Sequence, residues 1–154
     1  MIGELKTRGR LATLVVVAGA LAVFLSLGLH WVNVTDTDPL GNGRYALTAL
    51  SLESPAASSL VGALQSVAAA AIVMAIATFF GQPAWIAVAR SATMVTGFAL
   101  ALLGVWLFHV ATTAAIPESA PSAFLYRGAV AGPLVLGMGA ATVVIGAWVT
   151  RSWP

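Results

Sequence analysis

The sequence alternates four long apolar blocks with shorter polar segments. The blocks cover residues 11–32, 55–80, 91–113 and 129–149, and each is near or above the roughly 20 residues that a helix needs to cross about 30 Å of hydrocarbon. The pattern predicts an all-α membrane protein, a compact four-transmembrane-helix bundle that forms one integral membrane domain over residues 1–154. The first block exceeds the apolar region of about 7 to 15 residues in a signal peptide, so we expect it to remain as the first helix.

Composition supports a membrane location. The chain is 60% hydrophobic and only 8% charged, whereas soluble proteins have about 25% charged residues. The lipid bilayer is therefore the expected surroundings. The net charge of +2 comes from basic residues scattered over the chain, which form no basic stripe, so we expect no nucleic-acid partner. The chain contains no cysteine, which excludes disulfides and thiolate metal sites.

The basic residues predict the orientation. Five lie before the first helix, at the turn between the second and third, or after the fourth: Lys6, Arg8, Arg10, Arg90 and Arg151. The other two loops carry only Arg44 and Arg127. The positive-inside rule then places both termini in the cytoplasm. Abundant alanine and a preference for arginine over lysine indicate a bacterial protein, so we expect a multi-pass protein of the inner (plasma) membrane.

The two outer segments, 33–54 and 114–128, are predicted to be loops. Residues 44–52 place leucines and a tyrosine among small polar residues, which favours a short segment lying on the bilayer surface. Four tryptophans fall at predicted helix ends and are expected to form an aromatic belt: Trp31, Trp85, Trp148 and Trp153. Trp106 lies nearer mid-span, and we expect it to pack inside the bundle.

Two histidines and four acidic residues are predicted to share the outer side of the membrane: His30, Asp36, Asp38, Glu53, His109 and Glu118. Two histidines could ligate a haem, and a histidine with carboxylates could hold a divalent metal. Neither the spacing nor the supporting partners of such a site can be recognised in the sequence. We therefore expect interfacial histidines, no metal, no cofactor and no catalytic residue.

Gln65 is the most polar residue deep in a predicted span. It lies ten residues into the second helix, or about 15 Å from its outer end. An interhelical hydrogen bond is the expected role, and contact with a substrate is the alternative. No acidic or basic residue lies in the middle of any span, which argues against a proton-driven exporter, because such proteins need an embedded carboxylate.

Small residues recur every four positions on three helices. The second helix carries Ser58, Gly62, Ser66 and Ala70, the third Thr93, Gly97 and Ala101, and the fourth Gly128 with Gly132 and Gly137 with Ala141. Small residues at this spacing let helix backbones approach closely inside a membrane. We expect these stripes to be seams of the bundle; the alternative is docking of another protein or of a second copy of this chain.

Several of these features resemble the tryptophan-associated membrane proteins of actinobacteria, four-helix proteins often encoded among tryptophan-biosynthesis genes. The similarity lies in Trp31 at the end of the first helix, in residues 54–57 (SPAA) before an alanine-rich helix, and in a glycine-rich last helix closed by residues 151–154 (RSWP). The resemblance implies a link to tryptophan metabolism through gene context. It supplies no activity and no site residue.

Three functions are compatible with these observations. The first is a non-enzymatic accessory or scaffold protein of the membrane, and it is the one we favour. The second is a small-molecule permease or permease subunit, with Gln65, Trp106 and the small-residue seams lining a route. The third is a small subunit of a larger respiratory or cell-envelope complex.

Overall fold

The structure is a computed structural model. It describes the backbone of residues 2–36, 44–52, 54–80, 83–114, 124–129 and 131–151, and the side chains of residues 10–32, 47–52, 54–80, 85–113 and 131–149.

Four helices dominate the fold. They are α1 (Ile2–Gly28), α2 (Pro55–Phe80), α3 (Pro83–Ala114) and α4 (Ala131–Arg151). Helix α1 packs against α2 and α4, and α3 packs against the same two neighbours, so the helices form a closed four-membered bundle. Each contains a segment that is long and apolar enough to cross a membrane: Arg10–Gly28, Pro55–Phe80, Trp85–Thr113 and Ala131–Val149. The predicted four-helix bundle is confirmed.

The helices run antiparallel to their chain neighbours. The start of α1 lies beside the end of α2, where the Thr13 and Thr78 hydroxyl oxygens are 3.5 Å apart. The bundle therefore has two distinct ends. The start of α1, the turn between α2 and α3 and the end of α4 lie at one, called here the termini end. The segments that join α1 to α2 and α3 to α4 lie at the other, called here the sheet end.

Three predicted helix boundaries were wrong. Helix α1 begins at Ile2 rather than at residue 11 and ends at Gly28 rather than at residue 32, and α3 begins at Pro83 rather than at residue 91. Proline is tolerated in the first turn of a helix because its missing N–H would be unpaired there anyway. As a result, Arg90 lies inside α3, within the apolar span that begins at Trp85, and not in the turn before it.

The sheet end carries a small antiparallel sheet that the sequence did not predict. Its strands are β1 (His30–Asp36), β2 (Arg44–Thr48) and β3 (Phe124–Ala129), in the order β2-β1-β3. Central β1 pairs with β2 from the same outer segment and with β3 from the other, for example Val34 with Tyr45 and Tyr126. The fold is thus a helical bundle with a sheet cap, and a single-turn helix (Ala49–Ser51) replaces the end of the predicted interfacial segment.

Trp31 connects the sheet to the bundle. The β1–β2 register shifts between His30 and Val32, which allows two consecutive residues, Trp31 and Val32, to be fully buried. The Trp31 indole N–H donates to the Ser26 carbonyl oxygen at 2.7 Å, and the Leu29 backbone N–H donates to the same oxygen at 3.2 Å. These bonds satisfy a carbonyl that the end of α1 would leave unpaired.

The predicted role of Trp31 as a headgroup anchor was therefore wrong. Its ring is 0% exposed, and it lies directly against Gly132 in the first turn of α4, where a Cβ atom would collide with the indole. A tryptophan that follows an apolar run has the same local pattern whether it faces lipid headgroups or the protein. Here a glycine about one hundred positions later leaves the space that the ring fills.

Candidate interaction surface

Of the predicted cluster of outer polar residues, the structure describes the side chains of the two histidines. His30 at the start of β1 and His109 near the end of α3 are both exposed. Asp36 ends β1, but its side chain lies outside the described residues, as do Asp38, Glu53 and Glu118. No group of three or more metal-ligating side chains forms among the residues that the structure describes. The two histidines therefore supply no assembled ligand set within this part of the chain.

The small-residue stripe of α3 packs inside the bundle. Thr93 is buried, and its hydroxyl donates to the Ala89 carbonyl at 2.8 Å. A Cβ atom at Gly97 would lie 2.6 Å from the Val144 side chain of α4. Ala101 is half-buried and packs against the core. These residues form the seam between α3 and α4.

The predicted pairing of Gly128 with Gly132 on one helix was wrong. Gly128 lies in β3, whereas Gly132 lies in the first turn of α4. Their spacing of four therefore does not place them on one helix face, and the tight contact of Gly132 is with Trp31.

Helices α1 and α4 approach each other closely at glycines that the sequence did not predict to be in contact. A Cβ atom at Gly139 of α4 would lie 2.7 Å from the Gly19 carbonyl oxygen of α1, and Gly146 lies against Val16 in the same seam. A spacing of seven residues, about two helical turns, puts Gly139 and Gly146 on one face. A repeat of seven in the sequence is therefore a signal for this seam that a repeat of four does not contain.

The stripe on α2 has the opposite orientation. Ser58, Gly62 and Ser66 are exposed and Ala70 is half-buried, and a Cβ atom at Gly62 would meet nothing within 4 Å among the described residues. This stripe therefore does not form the expected seam within the chain. Gln65, two turns from Ser58 on the same face, is also exposed, so it does not make the expected contact in the bundle interior.

These positions form a continuous surface on the half of α2 nearest the sheet, called here the α2 polar face. It consists of small or polar exposed residues: Ser58, Ser59, Gly62, Gln65, Ser66 and Ala69. Between Leu50 and Val73 no large hydrophobic side chain of the described residues is exposed. The exposed face of the other half of α2 carries Val73, Ile76 and Phe80. One helix thus presents two chemically different surfaces.

The exposed surfaces of the other helices resemble the second half of α2. They carry large apolar side chains that are more than half exposed, such as Leu14, Leu25, Val95, Leu102, Leu134 and Met138. Trp106, which was expected to pack inside the bundle, is 61% exposed on α3, so that prediction was wrong. Trp85 and Trp148 are exposed near the termini end, as an aromatic belt requires. Among the described residues, the α2 polar face differs from these surfaces, which are suited to lipid.

Within the α2 polar face, hydroxyl and amide groups differ in their hydrogen bonding. Ser58 and Ser59 donate to the Pro55 carbonyl at 3.0 and 2.8 Å, and Ser66 donates to the Gly62 carbonyl at 2.9 Å. The serine donors are thereby satisfied by their own helix, as is common for serine in apolar surroundings. The Gln65 carboxamide has no such bond to the described residues, and it can both donate and accept.

Four apolar helices of membrane-spanning length make this chain a multi-pass integral membrane protein. Comparison of the sequence with models of known protein families and with curated proteins gives no match. The resemblance to the tryptophan-associated membrane proteins therefore stays a prediction.

Proposed function

We propose that this protein is a non-enzymatic accessory subunit of the membrane, which binds a transmembrane helix of another protein through the α2 polar face. The observation that carries the proposal is the absence of exposed large hydrophobic side chains on that face among the described residues, in contrast to the rest of the bundle surface. Small residues at intervals of four permit close helix contact, which is the main source of helix association in lipid.

Gln65 adds a directional interaction to this surface. At ten residues from Pro55 it lies about 15 Å along the helix, close to the middle of the hydrocarbon core. A carboxamide facing acyl chains there is unsatisfied, and pairing it with a polar group of a neighbouring helix contributes about 0.6 to 2 kcal/mol. Gly62, one turn away, leaves open space for the backbone of that neighbour.

The bundle interior supports an accessory role rather than transport. The described core consists of aliphatic side chains and Trp31, and its buried polar residues are Ser26 and Thr93. Both hydroxyls donate to carbonyls of their own helices, Ser26 to Val23 at 2.6 Å and Thr93 to Ala89 at 2.8 Å. A permease needs polar groups that face its route, and the predicted route residues Gln65 and Trp106 are on the outside.

The proposal includes a cellular setting. We infer that the protein resides in the inner membrane of a bacterium with both termini in the cytoplasm, because five of its seven basic residues belong to that side. The resemblance described above connects it to tryptophan metabolism. The partner is then a membrane protein encoded nearby or expressed together with it. The third function considered, a small subunit of a larger membrane complex, is included in this proposal.

Two exposed glycines allow a matched test. A Cβ atom at Gly62 of α2 or at Gly137 of α4 would meet nothing within 4 Å, so Gly62→Leu and Gly137→Leu should both leave the bundle intact. Each tagged protein is purified from native membranes in mild detergent, and bound proteins are quantified by mass spectrometry. We expect the wild type and Gly137→Leu to retain the same partner and Gly62→Leu to lose it. Retention by both variants, or a wild-type chain that purifies alone, would contradict the proposal.

A further inference from the structure

Arg90 is the one charged residue in the interior of a described membrane span. It lies five residues after Trp85, within the Trp85–Thr113 span of α3, whereas Arg10 stands at the start of the first span. Arg90 is half-buried, and its Nε atom is buried without a hydrogen-bond partner among the described residues. An unpaired buried donor is unfavourable, and more so when it belongs to a charged group.

The position of Arg90 follows from its spacing to the α3 glycines. Gly97 and Gly104 follow Arg90 at intervals of seven residues, about two turns each, so all three lie on one face of α3. Gly104 faces Leu136 and Gly97 faces Val144. Helices α3 and α4 are antiparallel, so a further two turns toward the start of α3 correspond to two turns toward the end of α4. Arg90 therefore lies opposite the last turn of α4, which ends at Arg151. Arg90 is therefore at the termini end of the bundle.

This level corresponds to the lipid headgroup region. Trp85 and Trp148 are 67% and 59% exposed and lie on either side of Arg90 along the bundle axis. Tryptophans at such positions mark the boundary between headgroups and hydrocarbon. A helix side chain also leans toward the helix N-terminus, which for Arg90 is the direction of the membrane surface. The guanidinium can thus reach headgroups while its aliphatic part stays among apolar side chains.

We propose that Arg90 binds the phosphate group of an anionic phospholipid in the leaflet at the termini end. A guanidinium matches phosphate through a planar fork of donors. The Nε atom of Arg90 is buried, so the donors presented to the lipid are the two terminal amino groups of this half-buried side chain. The chain places five of its seven basic residues at this end and one acid, Glu4, so a lipid with net negative charge is favoured over a zwitterionic one.

Binding of phosphatidylglycerol to the purified protein in detergent, measured by native mass spectrometry, tests this site. Arg90→Gln removes the fork, and Arg10→Gln is the matched control, because Arg10 is exposed and its guanidinium carbon lies 5.5 Å from the Phe79 ring centroid. We expect Arg90→Gln to weaken binding about tenfold and Arg10→Gln to weaken it less than about twofold. Phosphatidylcholine should bind the wild type more weakly than phosphatidylglycerol.

A lysine variant and a competition experiment distinguish specific binding of the lipid phosphate from general attraction to charge and from binding of free phosphate. Arg90→Lys keeps the charge without the fork, so we expect severalfold weaker binding, and this variant decides the question if circular dichroism shows that Arg90→Gln is unfolded. Equal losses in Arg90→Gln and Arg10→Gln would reveal attraction to charge in general and overturn the proposal. Unchanged binding by Arg90→Lys would also overturn it, because the fork would then be unnecessary. Displacement of the lipid by millimolar inorganic phosphate would assign the site to free phosphate instead.

Discussion

Replacement of Trp31 should be the most costly single change at the sheet end. The ring is fully buried between the end of α1 and Gly132 of α4, so Trp31→Ala leaves a cavity and should destabilise the protein by about 3 to 5 kcal/mol. Trp31→Phe keeps most of the ring but removes the 2.7 Å bond to the Ser26 carbonyl. That carbonyl still accepts the Leu29 N–H, so we expect the phenylalanine variant to lose only about 1 kcal/mol.

The assay is reversible unfolding in mixed micelles with increasing dodecyl sulfate, followed by far-ultraviolet circular dichroism. Trp106→Ala is the control, because this tryptophan is 61% exposed and its loss should change the free energy of unfolding by no more than about 0.5 kcal/mol. If Trp31→Ala were as stable as Trp106→Ala, Trp31 would not be a core residue and would not be the residue that attaches the sheet to the bundle.

Three further changes test other parts of the structure. Gln65→Leu should leave the free energy of unfolding unchanged but weaken partner binding by about 0.6 to 2 kcal/mol. Partner binding is measured as the fraction of partner retained on purification, and normal retention would show that Gln65 does not contribute to it. Gly139→Leu inserts a side chain against the Gly19 carbonyl and should destabilise the bundle by about 1 to 3 kcal/mol in the unfolding assay, whereas Gly137→Leu should be near neutral; equal effects would refute the α1–α4 seam. Thr37→Cys should react with a membrane-impermeant thiol reagent in intact cells, and protection of this cysteine would reverse the orientation.

The four helices could be predicted from the sequence because their lengths are set by the bilayer. An apolar block of about 20 residues has few alternatives to a membrane-spanning helix. The second block, 55–80, coincides with α2 (Pro55–Phe80), since Pro55 is compatible with a first helical turn. The third block, 91–113, begins directly after Arg90, whereas α3 begins at Pro83 and includes that charge. A long side chain that reaches the membrane surface lets the helix continue past it.

Strand β1 had a local signal that the apolar block obscured. Trp31, Val32, Val34 and Thr35 are residues that favour strands, but the first two fall within the predominantly apolar block 11–32. Whether the run stays helical is decided by pairing with β2 and β3 and by the space beside Gly132. These contacts are distant in sequence, so no local pattern specifies them.

The direction in which each small-residue stripe faces also depends on distant contacts. Gly62 and Gly97 have similar neighbours at intervals of four, yet Gly97 packs against Val144 and Gly62 is open. Spacing alone identifies helix faces that permit close approach. The order of helices in the bundle then decides which of these faces are already occupied within the chain. Among the described residues, the α2 polar face is not occupied, and the shorter pair Gly137 and Ala141 of α4 is also exposed.

Cysteine crosslinking in native membranes tests the proposed interaction surface most directly, because the chain has no cysteine of its own. Ser58→Cys and Leu134→Cys place single thiols three residues into α2 and α4, both at exposed positions and therefore at similar depth. With a short thiol-to-amine crosslinker, we predict a discrete adduct of higher mass for Ser58→Cys and none for Leu134→Cys. Equal adducts from both positions, or none from Ser58→Cys when it is shown to be reactive, would contradict the assignment of the α2 polar face as a binding surface.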